Sequence, residues 1–371
     1  MLTTFANAVE NVPATPALVV DLPTVQRNIK TLADYAQQHQ LKIRPHTKTH
    51  KSRLMARLQM EAGACGLTVA KVGEAEVLAE TSSDFLLAYP AIDPARTSRA
   101  ARLAGEKTLR VAVDSEIGIQ ALADAARSAG TTIGILVDLD AGFHRTGVQS
   151  PQAALKLARF VASLQPALRL DGLFFYPGHL WLPAENQAAE LAAVDALLAE
   201  ALELWKQDGL QAPIVSGGST PAMLQSHLIP HQTEIRPGTY IYNDMNTERS
   251  GFCTMDQIAA AMVCTVISTS VPGKAIVDGG TKTFTSDRNV RFPESGYGHI
   301  VEYPQAKLAR MSEEHGELEL GDSEKVPRVG ERVTIIPNHI CPCVNLHDSA
   351  WLQNADSTLT ALPTDGRGRL S

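Results

Sequence analysis

The chain has 371 residues, of which 44% are hydrophobic and 20% are charged, as in an ordinary globular enzyme. A chain of this length is too long for one simple core, so we expect two domains. The formal net charge of -7 argues against nucleic acid and against an anionic membrane surface as partners, because such binding depends on an excess of Lys and Arg.

Residues 1–16 have neither a basic start nor an apolar core, so no secretion signal is predicted. The longest uncharged apolar run, 258–272, falls short of the roughly 20 residues that a helix needs to cross a bilayer. Its β-branched residues predict a strand instead. Five cysteines are an odd count for a disulfide scaffold, so we expect a cytoplasmic protein with reduced thiols.

Short apolar runs alternate with amphipathic helical patterns between residues 41 and 242. The predicted strands are residues 42–44, 66–70, 84–88, 109–113, 133–139, 168–174, 213–215 and 234–236. Predicted helices between them include 116–128, 151–164 and 185–207. Eight strands separated by helices predict a closed (β/α)8 barrel of the TIM type, with polar and glycine-rich loops at the carboxyl ends of the strands.

The pattern changes near residue 250, where Val, Ile and Thr runs are broken by Gly and Pro. These runs predict a second, mainly β domain at the C-terminal end. The early strand 17–20 is left over from the barrel and is expected to pair with that domain. We therefore predict a barrel over 22–246 and a discontinuous β domain formed by 1–21 plus 247–371.

Lys48 lies in the motif Arg-Pro-His-Thr-Lys-Thr-His-Lys at 44–51, just after the first predicted barrel strand. Neighbouring cations and imidazoles favour the deprotonated amine, which can attack a carbonyl and hold it as a Schiff base. Taken alone, the motif could equally be a solvated basic turn. Its place at a strand end, where barrels build active sites, favours a catalytic lysine.

Two loops have the composition of a phosphate site. Ser-Gly-Gly-Ser-Thr-Pro at 216–221 follows the seventh strand and is predicted to open a helix, and Arg-Pro-Gly-Thr-Tyr at 236–240 follows the eighth. Gly/Ser turns are common, but neighbouring strands bring the two loops together. A reactive lysine beside a phosphate site predicts pyridoxal phosphate (PLP), with its phosphate bound by the loop residues Gly218, Ser219, Gly238 and Thr239. Tyr240 is predicted to contact the cofactor as well.

Four motifs together resemble the D-serine dehydratase/D-threonine aldolase family, which is similar to alanine racemase in fold. They are Thr-Pro-Ala-Leu-Val-Val-Asp at 15–21, the 44–51 motif, Asp-Ala-Gly-Phe-His-Arg-Thr-Gly at 140–147, and Tyr-Pro-Gly-His at 176–179. The resemblance implies that Lys48 is the Schiff-base lysine and that Arg145, Tyr176 and His179 line the cofactor. It also implies a homodimer, and a β domain that includes the strand within 15–21.

His339 and Cys341 belong to the motif Pro-Asn-His-Ile-Cys-Pro-Cys at 337–343. In an extended segment, residues two apart point the same way, and imidazole plus thiolate suits zinc. A packed histidine and a buried cysteine are the alternative for an isolated motif, and Cys343 is a possible third ligand on the same face. The resemblance implies a divalent metal at His339 and Cys341, with zinc first and manganese, cobalt or magnesium as alternatives.

The resemblance implies that the motif His-x-Cys is typical of the dehydratases in this family and that His-x-Asp is typical of its D-threonine aldolases. We therefore predict a PLP- and metal-dependent lyase that dehydrates a small D-3-hydroxy amino acid to a 2-oxo acid and ammonia. D-threonine aldolase chemistry, which gives glycine and an aldehyde, uses the same groups and stays open. An amino-acid racemase and a non-catalytic PLP-binding protein are further alternatives.

Overall fold

The computed structural model describes residues 4–323 and 325–371, which form two compact units. The barrel unit comprises Thr31–Lys48, Arg53–Gly238 and Arg369–Ser371. The β unit comprises the described parts of Met1–Lys30, Thr49–Ser52 and Thr239–Gly368. Compact units defined by contacts need not coincide with domains, so the predicted domain boundaries stay a prediction.

The strands of the described chain are numbered β1 to β17. In chain order they are Ala17–Asp21, Lys42–Ile43, Leu67–Val69, Asp84–Leu87, Thr108–Val113, Ile133–Asp138, Leu168–Phe174, Ile214–Gly217, Glu234–Ile235, Ala260–Ser268, Lys274–Val277, Gly298–Ile300, Lys307–Met311, Gly316–Glu319, Arg332–Pro337, Ser349–Gln353 and Leu359–Pro363. The α-helices α1 to α11 are Ala6–Asn11, Leu22–Gln38, Arg53–Glu61, Val72–Leu78, Pro94–Ala104, Glu116–Ala129, Pro151–Ser163, Ala188–Gln207, Met245–Arg249, Thr281–Phe284 and Ile340–Leu346.

Strands β2 to β9 form the sheet of the barrel unit, in the order β2-β9-β8-β7-β6-β5-β4-β3, and all of its pairs are parallel. Backbone hydrogen bonds join its two ends: Cys65 N–H donates to the Ile43 carbonyl at 2.8 Å, and Thr68 N–H to the Pro45 carbonyl at 2.9 Å. The sheet is therefore closed, and the predicted (β/α)8 barrel is confirmed. Every predicted barrel strand is present.

Capping residues set the ends of the barrel helices. The Ser115 hydroxyl accepts from the Gly118 N–H at the start of α6, which ends at Gly130 with a positive φ of 66°. The Ser150 hydroxyl caps α7 in the same way. The helix predicted over 185–207 begins only at Ala188, because Ala184–Asn186 forms a separate 3-10 turn.

Asp84 and Glu234, the first residues of β4 and β9, belong to a group of paired charges in the barrel unit, which we call the base cluster. Its other members are Arg44, Arg110 and Asp171. The Arg44 guanidinium lies 3.0 Å from Glu234 and 2.5 Å from Asp84, and Arg110 contacts Asp84 and Asp171 at 2.6 and 2.8 Å. Burial lowers the pKa of Arg44, but the charges of Glu234 and Asp84 outweigh it and raise that pKa. Every charge in this cluster has a partner of opposite sign.

The β unit contains a sheet of nine strands, β1 and β10 to β17. Strand β1 pairs antiparallel with β10 and parallel with β16, so the leftover N-terminal strand lies in this sheet, as expected. The apolar run 258–272 supplies β10, which confirms the strand prediction. No helix in the described chain is long and apolar enough to cross a membrane. None of the five cysteines, all of which lie in the described chain, forms a disulfide bond.

Candidate active site

Lys48 lies at the carboxyl end of β2, where the chain leaves the barrel sheet. The N–H of the preceding Thr47 donates to the Thr68 carbonyl at 2.9 Å, which ties this segment to β3. The Lys48 N–H donates to Nδ1 of His46 at 3.3 Å, so an imidazole orders the backbone of the turn. The lysine is half-buried, and its strand lies between β3 and β9.

The loop after β8 has the features of an anion site. Gly218 adopts a left-handed conformation with φ of 83°, and a side chain at Gly217 would collide with the Phe175 ring. Ser219 is buried, and within the described chain its hydroxyl oxygen has no hydrogen-bond partner. A buried hydroxyl without a partner is destabilising unless a ligand satisfies it, so this loop fits the phosphate of PLP.

The structure differs from the sequence prediction just beyond this loop. Residues after Ser219 form a turn and then a 3-10 helix, Met223–Leu228, instead of an α-helix. A helix dipole therefore does not contribute, and the anion would be held by loop N–H groups and the serine hydroxyl. Gly238 follows the neighbouring strand β9.

Thr239, the remaining predicted phosphate ligand, belongs to the β unit and lies in the 3-10 turn Thr239–Ile241. Tyr240, which is predicted to contact the cofactor, lies in the same turn. The Thr239 hydroxyl lies 3.5 Å from the Cys341 sulfur. Tyr240 is almost fully buried. The structure therefore places the hydroxyl of one predicted cofactor ligand beside a predicted metal ligand.

Arg145, Tyr176 and His179 are brought together by the loops after β6 and β7. The Arg145 guanidinium lies 4.9 Å from the ring centres of both Phe143 and Tyr176, and these two rings meet edge to face at 5.3 Å. The His179 ring packs on the backbone of Gly142, where an added methyl group would lie 3.0 Å away. These three predicted cofactor-lining residues therefore occupy one side of the barrel mouth.

Asp138, at the end of β6, lines the same small cavity as Arg145 and Tyr176. Its burial raises the pKa of the carboxyl to about 6, although the Thr146 hydroxyl donates to it at 2.8 Å. Sequence reasoning passed over this residue, because a strand-terminal aspartate before a glycine-rich loop is ordinary turn sequence. The cavity therefore contains a carboxyl group that titrates near neutral pH.

His339 and Cys341 lie at the start of a helix, and the predicted extended segment is wrong. His339 is the residue before α11, and Cys341 lies in its first turn. Cys343 points elsewhere, because residues two apart in a helix do not share a face. Its thiol is buried and donates to the Thr283 carbonyl at 3.2 Å, which argues against a third metal ligand there.

The surroundings of this pair attract a cation. The His339 Nδ1 lies 3.2 Å from an Asp287 carboxylate oxygen, and the Thr49 hydroxyl lies 3.1 Å from the Cys341 sulfur. Burial lowers the pKa of His339, but Cys341 and Asp287 outweigh it and raise that pKa to about 11. The donor set therefore fits a divalent metal, which would take the place of the proton.

Asp244 anchors the backbone that carries the pair. It is buried, and its two carboxylate oxygens accept from the N–H groups of Thr247 at 3.0 Å and Ile340 at 3.1 Å. The second bond fixes the first residue of α11. Among the residues that the structure describes, no three His, Cys, Asp or Glu side chains gather in a metal-binding cluster. A metal bound by His339 and Cys341 would thus have coordination positions open to water or substrate.

Three further polar residues at the barrel mouth, Lys71, Tyr89 and Arg96, were missed by sequence reasoning. Lys71 and Tyr89 each lie two residues after the end of a strand, β3 and β4 respectively, and Arg96 lies in the first turn of α5. Their position after predicted strands was visible in the sequence, but isolated charges in loops are usually solvated. Their contacts, described below, distinguish them from such residues.

A closed parallel barrel with a lysine at a strand end, joined to a separate β unit, defines the alanine racemase-like class of PLP-dependent enzymes. Comparison with family models agrees with this class. Residues 20–246 match "Alanine racemase, N-terminal domain", and residues 259–352 match "Putative serine dehydratase domain". The chain belongs to the D-serine dehydratase/D-threonine aldolase family of PLP-dependent lyases.

Individual relatives cover almost the whole chain. The 3-hydroxy-D-aspartate aldolase of Paracoccus denitrificans is 31% identical over 96% of this chain and 92% of its own length. The crystal structure of D-threonine aldolase from Filomicrobium marinum superposes with a TM-score of 0.88, at 30% identity, over 96% of this chain and 97% of that one. A mutant of D-threo-3-hydroxyaspartate dehydratase in its metal-free form gives a TM-score of 0.88 at 29% identity, covering 96% and 98%.

Proposed function

We propose that this chain dehydrates a small D-3-hydroxy amino acid to a 2-oxo acid and ammonia, using PLP and a divalent metal. The observation that carries the proposal is the pair formed by His339 and Cys341, with an Asp287 carboxylate oxygen 3.2 Å from Nδ1 of the histidine and the Thr49 hydroxyl 3.1 Å from the sulfur. We propose zinc as the metal because imidazole and thiolate are among its preferred ligands. A relative described in a metal-free form supports a metal requirement.

Lys48 is proposed to hold the cofactor, with Gly218, Ser219 and Gly238 at its phosphate. The Ser219 hydroxyl, which has no hydrogen-bond partner among the described residues, supports this assignment, because it could donate a hydrogen bond to a phosphate oxygen. Arg145 is proposed to position the cofactor, together with Tyr176 and His179 at the same side of the mouth. Bound PLP supplies an electron sink for the electron pair left at the substrate α-carbon.

Proton transfer is assigned to the Nζ atom of Lys48. As a free amine it would remove the α-proton of the bound substrate. His339 and Cys341 would hold a metal, which supplies Lewis-acid polarisation of the substrate β-hydroxyl. Asp287 would keep Nδ1 of His339 engaged, so that Nε2 is directed to the metal.

Aldol cleavage is the competing reaction, and two of the compared relatives are named as aldolases. Both reactions would use the substrate β-hydroxyl, but dehydration expels it as hydroxide while aldol cleavage removes its proton. Cys341 supports dehydration, since the family resemblance links His-x-Cys with dehydratases. A homodimer and a cytoplasmic location stay predictions.

Product analysis tests the proposal directly. The purified holoenzyme is incubated with D-serine, D-threonine and 3-hydroxy-D-aspartate, and ammonia, 2-oxo acids, glycine and aldehydes are measured. We expect a 2-oxo acid and ammonia in equal amounts, with activity lost on chelation and restored by zinc. Glycine and an aldehyde as the sole products would replace dehydration by aldol cleavage, and racemised substrate without a metal requirement would overturn both.

A further inference from the structure

Lys71 and Tyr89 extend from adjacent strands at the mouth of the barrel. The Ala88 N–H donates to the Val69 carbonyl at 3.0 Å, so the chain after β3 and the chain after β4 leave the sheet side by side. Strand β3 also lies beside β2, the strand that ends near Lys48. The predicted phosphate loops follow β8 and β9, on the opposite side of β2. Lys71 therefore follows the strand beside that of Lys48, on the side away from the phosphate loops, and Tyr89 follows the next strand along.

Lys71, Tyr89 and Arg96 form what we call the mouth cluster. The Lys71 ammonium lies 3.4 Å from the centre of the Tyr89 ring, and Arg96 Nη1 donates to the Tyr89 hydroxyl at 3.3 Å. The hydrogen bond from Lys71 and its charge lower the pKa of Tyr89, and Arg96 adds to this effect. Two cations therefore converge on one phenol.

Within the part of the chain that the structure describes, neither Lys71 nor Arg96 forms an ion pair with a carboxylate. Both side chains are partly exposed, as is Tyr89. A single cation–π contact is explained by packing alone, but a second cation at the same ring adds repulsion that an anion would relieve. The cluster therefore has the charge and the access of an anion site.

We propose that the mouth cluster binds the distal carboxylate of a substrate of the 3-hydroxyaspartate type. This inference rests on the proposed function and names its preferred substrate class, a D-3-hydroxy amino acid with a second carboxylate. Lys71 and Arg96 supply the charge, and the Tyr89 hydroxyl supplies a hydrogen-bond donor. Two of the compared relatives are named for 3-hydroxyaspartate, which agrees with such a site. The α-carboxylate is the competing ligand, since it has the same chemistry.

Substrate preference shows whether the mouth cluster binds the distal carboxylate or the α-carboxylate. Lys71→Met and Arg96→Met are assayed as holoenzymes with 3-hydroxy-D-aspartate and with D-serine, and Lys206→Met, an exposed lysine at the end of α8, is the matched control. The readout is kcat/KM for the dicarboxylate divided by kcat/KM for D-serine. We expect this ratio to fall about 10- to 100-fold in each mouth variant, mainly through KM, because each loses a charged hydrogen bond. The control keeps the wild-type ratio.

Three results would overturn the inference: an unchanged ratio, an equal loss on both substrates, or a wild-type preference for D-serine. The first shows that no carboxylate is bound there, and the second assigns the cluster to the α-carboxylate or to folding. Lys71→Arg serves as the check on folding, since it retains the charge and is expected to recover at least part of the ratio.

Direct binding distinguishes failure of this inference from failure of the proposed function. Succinate, a dicarboxylate without an amine, is titrated calorimetrically into wild-type holoenzyme and Lys71→Met. Binding that depends on Lys71 in an enzyme inactive on every hydroxy amino acid would retain the anion site and reject the lyase proposal. Turnover of D-serine with Lys71-independent succinate binding and an unchanged ratio would reject the anion site alone.

Discussion

The base and the mouth of the barrel differ in whether their charged side chains have partners of opposite sign. At the base, Arg44 and Glu234 are buried and joined at 3.0 Å, and every neighbouring charge is paired. At the mouth, Lys71 and Arg96 converge on Tyr89 with no carboxylate in the described chain to pair with them. Asp138, also at the mouth, has a raised pKa because it is desolvated.

This difference distinguishes charges that stabilise the fold from charges that we expect to serve activity. Paired buried charges are strongly coupled to folding, because removing one partner leaves the other uncompensated in a low-dielectric surrounding. Unpaired or desolvated charges contribute little to folding or oppose it, so their presence is explained by a ligand. We expect base variants to lose stability and mouth variants to lose activity.

The largest effect is expected for Lys48→Ala. Loss of the amine that holds the cofactor and moves the α-proton should lower kcat by about 10⁴-fold or more. The visible absorbance of bound cofactor should be lost as well, while the urea unfolding midpoint changes little. Initial rates, absorption spectra and urea titrations measure the three quantities. Retention of more than about a hundredth of the activity would contradict the assigned role.

Arg44→Met tests how much the base cluster contributes to stability. It leaves Glu234 buried without its partner, and we expect the free energy of unfolding to fall by about 3–5 kcal/mol. Chemical denaturation followed by circular dichroism measures the change. Arg159→Met, which breaks an exposed pair with Asp208, is the matched control and should barely move the midpoint. Equal effects of the two substitutions would remove the distinction between buried and exposed pairs.

Asp287→Asn extends the comparison to a charge pair in the β unit that we expect to support metal binding by His339. Replacing the carboxylate beside Nδ1 of His339 should weaken metal binding by about 10- to 100-fold. Competition with a chromophoric chelator gives the affinity without an activity assay. Asp195→Asn, which breaks a similar pair with His231 on the surface of the barrel unit, is the control. An unchanged metal affinity would show that Asp287 does not orient the ligand.

The smallest effect concerns Asp138 and pH. Its pKa of about 6 in the folded chain exceeds the usual 3.8, so the folded state holds this proton more tightly than the unfolded state. The associated stability is complete at low pH and is lost as pH rises through about 6. Asp138→Asn should therefore be more stable than wild type near neutral pH, by about 2 kcal/mol or less, and should lose this advantage toward pH 4.

Urea unfolding of cofactor-free protein at several pH values measures this difference. A constant difference between Asp138→Asn and wild type across the range would contradict the raised pKa. A variant less stable than wild type at neutral pH would show that the hydrogen bond from Thr146 outweighs desolvation.

Most of the fold was predictable because its signals are local. The barrel strands are short apolar runs separated by helices, and Ser115 and Ser150 mark helix starts that any reader of the sequence can recognise. The prediction of an extended segment at His339 was wrong for a local reason too. The spacing of His339 and Cys341 was interpreted as that of an extended segment, but these residues start a helix, and Pro342 is tolerated in its first turn because its missing N–H has no partner to lose there.

The candidate site was predictable in part. Residue type and position pointed to Lys48 and to the His339–Cys341 motif, because few side chains offer an amine nucleophile or an imidazole–thiolate pair. Asp287 was not predictable, because it is 52 residues away from the histidine that it contacts. No periodicity connects residues at such a separation.

The sequence by itself determined where strands succeed one another along the chain and that a lysine follows the first barrel strand. It also determined which kinds of side chain are available to bind a metal. Only the tertiary structure decided which charges have partners. Arg44 and Lys71 both lie at the ends of predicted strands and look alike in the sequence, yet one is paired with Glu234 and the other is not paired with a carboxylate in the described chain. The reason is that ion pairing depends on distance in space, which closure of the barrel sets between residues far apart in the chain.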